Sequence, residues 1–169
     1  AKLKPKRVVF AEADQLNVLK AAQIALEEGI ATPILLGRRD EIERLMEELE
    51  FDEEVLIIDP KEDNSSTQKN RYAEIYWKQQ KRKGITLLAS QKLMRERNYF
   101  AAMMVNEGDA DALISGYSSN YGSVVKPMLN LIGLAPGSTR IATTNVMITQ
   151  RGPMFLSDTA ININPSAND

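Results

Sequence analysis

The stretch SGYSSNYGSVVKP, residues 115–127, holds an unusual concentration of groups that could bind an anion. It contains four serines, two glycines and one cation, Lys126, and it follows the apolar run ALI. Serine hydroxyls and the free N–H groups of a helix N-terminus both donate to phosphate oxygens, and a lysine adds positive charge. The stretch therefore predicts an anion-binding loop. The candidate ligand-binding residues are Ser115, Gly116, Ser118, Ser119, Ser123 and Lys126.

A second interpretation of this loop is a simple connection whose serine and asparagine side chains only satisfy its own backbone. The loop matches neither a Walker motif nor G-x-G-x-x-G. Lys126 is expected at the start of the following helix in either of two placements. It lies in the first turn if Ser123 is the cap, and it is the cap itself if Pro127 is the first helical residue. The spacing of these residues leaves both interpretations open.

Acidic residues at the end of the first predicted strand form another candidate. Glu12 and Asp14 follow the apolar run VVFA. Ligands of α/β proteins bind beyond the carboxyl ends of the strands, so these carboxylates could face a ligand. The favoured interpretation is that these two carboxylates cap the next helix and compensate its dipole. Asp158, inside the apolar run FLSDTAINI, either faces a cleft or ends a strand.

The composition excludes several kinds of chemistry within these residues. The chain has 169 residues, without cysteine or histidine, so it contains no disulfide, thiolate zinc site or serine–histidine nucleophile. With 21 basic and 23 acidic residues, it shows no basic excess that would favour nucleic acid. No apolar stretch approaches the length of about 20 residues that spans a bilayer, so no membrane association is expected. A cytoplasmic location is expected.

The pattern of apolar residues predicts strands alternating with helices. Strands are expected over 7–13, 32–37, 55–59 and 110–116, and helices over 40–49, 67–83, 87–95, from 98 to Gly108, after Asp14, and after the loop. Continuous apolar strands of this kind indicate a three-layer α/β/α fold with a mostly parallel sheet. After Arg140 two β-rich runs are predicted to pair through a turn at Gly152 and Pro153. The expected organisation is a linker over 1–6, an α/β subdomain over 7–139 and the truncated start of a second subdomain over 140–169.

Three segments together resemble the phosphate acetyltransferase/butyryltransferase family. They are RVVFAEAD with VLKAAQIALEEGIATPILLG, then NYFAAMMVNEGDADALISGYSSNYGSVVKPMLNLIG, and FLSDTAININPSA. The branch most similar to them is the corresponding C-terminal region of large NADP-dependent malic enzymes. The resemblance implies two α/β subdomains with a cleft between them, of which this chain supplies most of the first and only the beginning of the second. It also implies homodimers or larger oligomers, and a loop over 115–126 that holds acetyl-CoA or a related phosphate-bearing molecule.

Two positions depart from the family pattern. Lys126 stands where the acetyltransferases have an arginine, and Gln80 stands where a second family arginine is placed. Lysine keeps the charge but lacks the planar fork that suits phosphate, whereas glutamine loses the charge. The remaining catalytic residues of the family lie beyond the C-terminus of this chain. The resemblance therefore implies no catalytic residue among these 169.

The expected function is that of part of a malic enzyme. The parent protein would convert malate to pyruvate, with NADP and Mg²⁺ or Mn²⁺ bound in a preceding region. This region would contain no cofactor itself and would serve oligomerisation and acetyl-CoA sensing. One alternative is a piece of an active phosphate acetyltransferase, which moves an acetyl group between coenzyme A and phosphate. Another is a purely structural dimerisation domain.

Overall fold

A computed structural model describes residues 2–62, 66–157 and 161. The chain divides into two compact units, residues 1–132 and residues 133–169. The candidate residue Asp158 lies outside the described residues. Within the described part of the chain, no helix combines the length and the apolar composition that crossing a bilayer requires.

A parallel four-stranded sheet forms the centre of the first unit, in the order β3-β2-β1-β4. The central strand β1 pairs with β2 on one side and with β4 on the other, so that Val9 lies opposite both Ile34 and Leu113. All pairs are parallel, so the carboxyl ends of the strands meet at one edge. The strands are β1 (Lys6–Phe10), β2 (Ala31–Leu36), β3 (Leu56–Ile58) and β4 (Ala112–Ile114).

In the described residues of the first unit, six α-helices accompany this sheet. They are α1 (Leu16–Glu27), α2 (Arg39–Glu48), α3 (Ser66–Gln80), α4 (Leu87–Leu93), α5 (Arg97–Asn106) and α6 (Tyr121–Leu131). The strands alternate their side chains between two apolar clusters, because successive residues of a strand point to opposite faces. Phe10 and Leu35 pack with α1 and α2, whereas Val9 and Ile34 pack with α3, α5 and Leu131 of α6. The predicted three-layer α/β/α fold with a parallel sheet is thus confirmed.

The predicted elements extend further than the observed ones. β1 ends at Phe10 rather than at 13, and β4 covers only Ala112–Ile114 of the predicted 110–116. The apolar residue Ala11 still continues the pairing, since its N–H donates to the carbonyl of Ile114 at 3.0 Å, but the chain then turns. The long helix expected over 67–83 is α3 followed by a 3₁₀ turn, Lys81–Lys83. Gly84 ends it with φ of +87°, a conformation that favours glycine.

An antiparallel hairpin forms the regular structure among the described residues of the second unit. Strand β5 (Thr144–Thr149) pairs with β6 (Gly152–Ser157), as the two β-rich runs predict. The predicted position of the turn is wrong. Gly152 lies opposite Thr149 and is already part of β6, and the chain reverses over residues 150–151. The hydroxyl of Thr149 fixes this reversal, because it accepts from the N–H of Arg151 and donates to the carbonyl of Gly152.

Replacement of Thr86 tests the N-cap of α4. The Thr86 side chain accepts from the N–H of Ala89 at 3.1 Å. We expect Thr86→Ala to lower the free energy of unfolding by about 1 kcal/mol, because a helix N–H loses its acceptor. Thr86→Ser keeps a hydroxyl, so its loss in the free energy of unfolding should be only a few tenths of the loss in Thr86→Ala. Urea unfolding measures both values. Equal losses in the two variants would show that the hydroxyl is not the stabilising group.

Candidate functional site

The loop after β4 wraps around the carboxylate of Glu12, which follows β1. One carboxylate oxygen, Oε2, accepts from the N–H groups of Gly116 at 2.9 Å and Tyr117 at 2.6 Å. The other, Oε1, accepts from the N–H of Ser118 at 3.2 Å, the Ser118 hydroxyl at 2.8 Å and the Ser119 hydroxyl at 2.7 Å. The loop is therefore an anion-binding loop whose bound anion, in this structure, is a side chain of the same protein.

The environment of Glu12 keeps its carboxyl group ionised. The residue is 1% exposed. Burial on its own would raise the pKa, but hydrogen bonds from the Ser119 and Ser118 hydroxyls and from the backbone of Tyr117 and Ser118 outweigh it. Together they lower the pKa of Glu12 from 4.5 to about 2. Glu12 neither caps α1 nor contacts solvent, so the favoured capping interpretation is wrong for this residue.

The other two candidate serines also donate within the protein. The Ser115 hydroxyl donates to Oδ1 of Asn98 at 2.7 Å, and the Ser123 hydroxyl donates to the carbonyl of Asn120 at 2.8 Å. Gly116 has φ of +100°, which turns the backbone amides that follow it toward Glu12. A role of the four serines as direct ligand donors stays a prediction.

Helix α6 begins earlier than either predicted start. Asn120 is the N-cap, and its side chain accepts from the N–H of Ser123 at 2.9 Å. Neither Ser123 nor Pro127 begins the helix, because asparagine supplies the cap acceptor three residues before Ser123. Lys126 therefore lies in the second turn of α6, and Pro127 lies inside the helix.

The proline inside α6 is accommodated by a side chain from another helix. Pro127 has no N–H to donate to the carbonyl of Ser123, four residues earlier. The side-chain amide of Asn98 on α5 donates to that carbonyl instead, at 3.2 Å. Because the same amide accepts from Ser115, buried Asn98 joins the beginning of the loop to α6.

Asp14 forms an ion pair and does not cap α1, so the capping interpretation is wrong here too. The N-cap residue is Gln15. Arg97 holds the buried Asp14 carboxylate with two bonds, of 2.7 Å and 2.9 Å, and Arg38 approaches to 3.9 Å. Burial alone would raise the pKa of Asp14, but the bonds and charge of Arg97, with a smaller contribution from Arg38, lower it below its ordinary value. Gly37 passes so close that an added Cβ would lie 3.2 Å from the Asp14 side chain.

A cleft of about 270 Å³ opens between the loop, α5 and α6. It brings together three of the predicted residues, Ser119, Ser123 and Lys126. Ser115, Gly116 and Ser118 do not line this cleft, and they donate to Asn98 or Glu12 instead. Its remaining walls are Glu96, Arg97, Asn98, Tyr99 and Pro127.

Two cations and one acidic residue line this cleft. Lys126 is exposed and makes no ion pair with any residue in the described part of the chain. Arg97 is the first residue of α5, so the N–H groups of the first turn of α5 add the positive end of a helix dipole. Glu96 is the one acidic residue among those that line the cleft. The described residues include no cluster of three acidic side chains placed to hold a metal ion.

Gln80 lies near the cleft but points to α6. Its side-chain amide donates to the carbonyl of Asn130 at 3.1 Å, and the Asn130 side chain donates to the Tyr99 hydroxyl at 3.2 Å. Lys126 and Asn130 are four residues apart and so lie on the same side of α6. The position that the resemblance assigns to a family arginine is therefore occupied by an amide that contacts α6.

Comparison with known proteins identifies the family. The sequence profile described as "Phosphate acetyl/butaryl transferase" matches residues 1–169. The chain belongs to this family. It is 34% identical to a phosphate acetyltransferase of Thermoanaerobacterium thermosaccharolyticum, over all of this chain and 52% of the relative. It is also 34% identical to an NADP-dependent malic enzyme of Haemophilus influenzae, over all of this chain and 23% of the relative.

The solved structures agree with the family assignment. The EutD phosphotransacetylase from Staphylococcus aureus superposes with a TM-score of 0.81 at 28% identity, over 95% of this chain and 48% of that protein. A phosphotransacetylase from Streptococcus pyogenes gives a TM-score of 0.80 at 31% identity. The chain thus spans about half the length of these phosphotransacetylases and about a quarter of the malic enzyme.

Sequence reasoning missed the residues that organise the site. Asn98 and Arg97 lie in the segment RERNYFAAMMV, whose apolar residues indicate a core helix. The signal that could have identified them is the placement of polar residues directly before that helix, at the carboxyl edge of the sheet. The partner of Glu12 had no local signal, because its donors lie 104 to 107 residues away.

Asn98 and Pro127 should be energetically coupled. Asn98→Ala leaves the Ser123 carbonyl without a donor, and we expect a loss of about 1–3 kcal/mol in the free energy of unfolding. In a Pro127→Ala background the restored N–H donates to that carbonyl, so the same substitution should cost about 1 kcal/mol less. The double-mutant cycle is measured by urea unfolding. Asn106→Ala, on the exposed end of α5, is the control and should show no coupling. A cost of Asn98→Ala that is the same in both backgrounds would contradict this account.

The acid dependence of stability should reveal Glu12. A carboxyl group whose pKa is lowered on folding stabilises the protein above its unfolded pKa and loses that effect as the pH falls through its folded pKa. Glu12→Gln should therefore cost about 3 kcal/mol at pH 7, the equivalent of the shift from 4.5 to about 2. The difference from the wild type should shrink between pH 4.5 and pH 2. Unfolding free energies across this range test the prediction, with exposed Glu53→Gln as the control. A difference that is independent of pH would rule out the ionised carboxylate as its source.

Proposed function

We propose that this chain is part of a phosphate-acetyltransferase-like domain in an NADP-dependent malic enzyme. In this proposal the cleft beside the loop binds acetyl-CoA or a related phosphate-bearing molecule, and the domain serves sensing and oligomerisation rather than catalysis. The parent protein would act in the cytoplasm as a homodimer or larger assembly. NADP and Mg²⁺ or Mn²⁺ would be bound by a part of the polypeptide outside these 169 residues.

The unpaired cation in the cleft carries the proposal of ligand binding. Lys126 has no acidic partner among the described residues, whereas Arg97 on the opposite wall is held by Asp14. An anionic group in the cleft would give Lys126 a partner and would meet the N-terminal turn of α5. Phosphate groups of a coenzyme A derivative have the charge that suits this arrangement.

The proposal of sensing instead of catalysis depends on two side chains. Lys126 offers a point charge rather than the planar fork that grips a phosphate at two oxygens. The amide of Gln80 already donates to a backbone carbonyl, so this position brings no charge to the cleft. Transfer of an acetyl group to phosphate needs positive charge where negative charge develops, and Gln80 removes one such charge.

An active phosphate acetyltransferase is the second candidate. The phosphate acetyltransferase of T. thermosaccharolyticum is as similar to this chain as the malic enzyme of H. influenzae, at 34% identity each. The phosphotransacetylase structures also superpose on nearly all of the chain. These similarities identify the family, and both candidate functions are found among the relatives.

An assay of the complete natural polypeptide separates the two candidates. It would measure acetyl phosphate formation from acetyl-CoA and phosphate, and malate oxidation with NADP in the presence and absence of acetyl-CoA. The proposal expects malate oxidation that responds to acetyl-CoA, without acetyl phosphate formation. Robust formation of acetyl phosphate would favour the second candidate. Failure of acetyl-CoA either to bind or to change malate oxidation would favour a purely structural domain.

Substitution of Lys126 tests the cation directly. We expect Lys126→Ala to raise the Kd for acetyl-CoA about tenfold or more, because a charged hydrogen-bond donor to phosphate is lost. Lys126→Arg restores the charge and should bind at least as tightly as the wild type. Lys20→Ala removes an exposed lysine of α1, on the other face of the sheet, and is the matched control. Calorimetric titration in the complete polypeptide gives the Kd. Unchanged affinity in Lys126→Ala would remove this residue from the binding site.

A further inference from the structure

The loop around Glu12 has the geometry of a phosphate-binding loop that is already filled. Three successive backbone N–H groups, of Gly116, Tyr117 and Ser118, converge on one anion, and two serine hydroxyls complete its shell. Successive N–H groups that converge in this way form the anion-binding concavities of many phosphate sites. Here the anion is buried and belongs to the protein, so a ligand phosphate at the same donors would meet a negative charge at contact distance.

We infer that Glu12 is a positioning residue that acts as an internal anion, shaping the loop so that a phosphate-bearing ligand binds in the neighbouring cleft beside Lys126. The inference rests on the proposed function for the identity of the ligand. It assigns Glu12 no contact with the ligand, because Glu12 is buried and does not line the cleft.

The connection from Glu12 to the cleft runs through consecutive residues. Glu12 accepts from the hydroxyl of Ser119, which itself lines the cleft. The next residue, Asn120, is the N-cap of α6, so fixing Ser119 also fixes where the helix begins. Lys126 lies on that helix, less than two turns further on. Without an anion at Glu12, five donors of the loop would have no acceptor and the loop would rearrange to satisfy them.

If the role of Glu12 were purely structural, any substitution of this residue would lower the free energy of unfolding, whatever its charge. The inference predicts a requirement for negative charge at one place. Glu12→Gln keeps the size of the side chain, but a neutral amide has one acceptor oxygen and brings two donors of its own. Glu12→Ala leaves the donors facing an open space of carboxylate size, which a small carboxylate such as formate can enter.

The first measurement is hydrogen exchange of the loop amides in the complete polypeptide, followed by mass spectrometry of peptides covering residues 112–123. In Glu12→Gln and Glu12→Ala we expect exchange at the loop to be about tenfold faster or more than in the wild type. Sodium formate should restore slow exchange in Glu12→Ala, whereas formamide and sodium chloride at the same concentration should not. Asp111→Asn removes a carboxylate that binds Arg7 at the opposite end of β4, and it should leave the loop unchanged.

The second measurement is the affinity for acetyl-CoA of the same proteins. We expect a Kd about tenfold or more above that of the wild type in both Glu12 variants, and recovery in Glu12→Ala on addition of formate but not formamide. If Glu12→Ala does not fold, the comparison of Glu12→Gln with the wild type still decides the question.

The outcomes separate this inference from the proposed function. A wild-type protein that binds no acetyl-CoA overturns the proposed function, and the exchange measurement then tests without a ligand whether Glu12 holds the loop. A wild type that binds acetyl-CoA, together with a Glu12→Gln variant of equal affinity and equal loop exchange, overturns the inference alone. The inference would also be overturned if formamide rescued Glu12→Ala as well as formate does. The loop would then require a group of the right volume and not a negative charge.

Discussion

A single buried carboxylate joins parts of the first unit that are 104 to 107 residues apart in the chain. This is possible because β1 and β4 are neighbours in a parallel sheet, so the residues that follow each strand emerge at the same edge. The donors of the loop meet Glu12 there, and the loop leads directly into α6. The position of α6, and with it that of Lys126, therefore depends on a contact between the segments that follow β1 and β4, the first and last strands of the sheet in chain order.

Two cations line the cleft, and they differ in whether an acidic side chain of the described residues holds them. Arg97 is fixed by two hydrogen bonds to a buried carboxylate, so most of its charge is compensated within the protein. Lys126 is exposed and extends from α6 on a flexible side chain, without an acidic partner in the described part of the chain. A fixed pair gives the cleft a rigid wall, while a free ammonium group can adjust to a ligand. The proposed recognition of an anion relies on this combination of a fixed and an adjustable cation.

The sequence was sufficient for the layers of the fold because the relevant signals are local. Continuous apolar strands and the helical spacing of apolar residues each depend on a few adjacent residues, and they predicted the order of strands and helices. The start of α6 was misplaced because Pro127 and Ser123 are both good beginnings by local rules, and Asn120 lay within the presumed loop. Glu12 and Asp14 were assigned to capping for the same reason. Their true partners, Ser119 and Arg97, come close only through strand pairing and helix packing, which no local pattern records.

The side chain of Asn98 takes the place of the backbone N–H that Pro127 lacks, so changes at these two positions depend on each other. Asn98 compensates for the N–H that Pro127 lacks, and it also accepts from Ser115. A lineage that lost Asn98 first would pass through a form in which the Ser123 carbonyl has lost its side-chain donor. A lineage that lost Pro127 first would not, because the helix would supply its own donor. The order in which these two positions can change is therefore restricted, and a natural relative that keeps the proline without the asparagine must provide another donor to the same carbonyl.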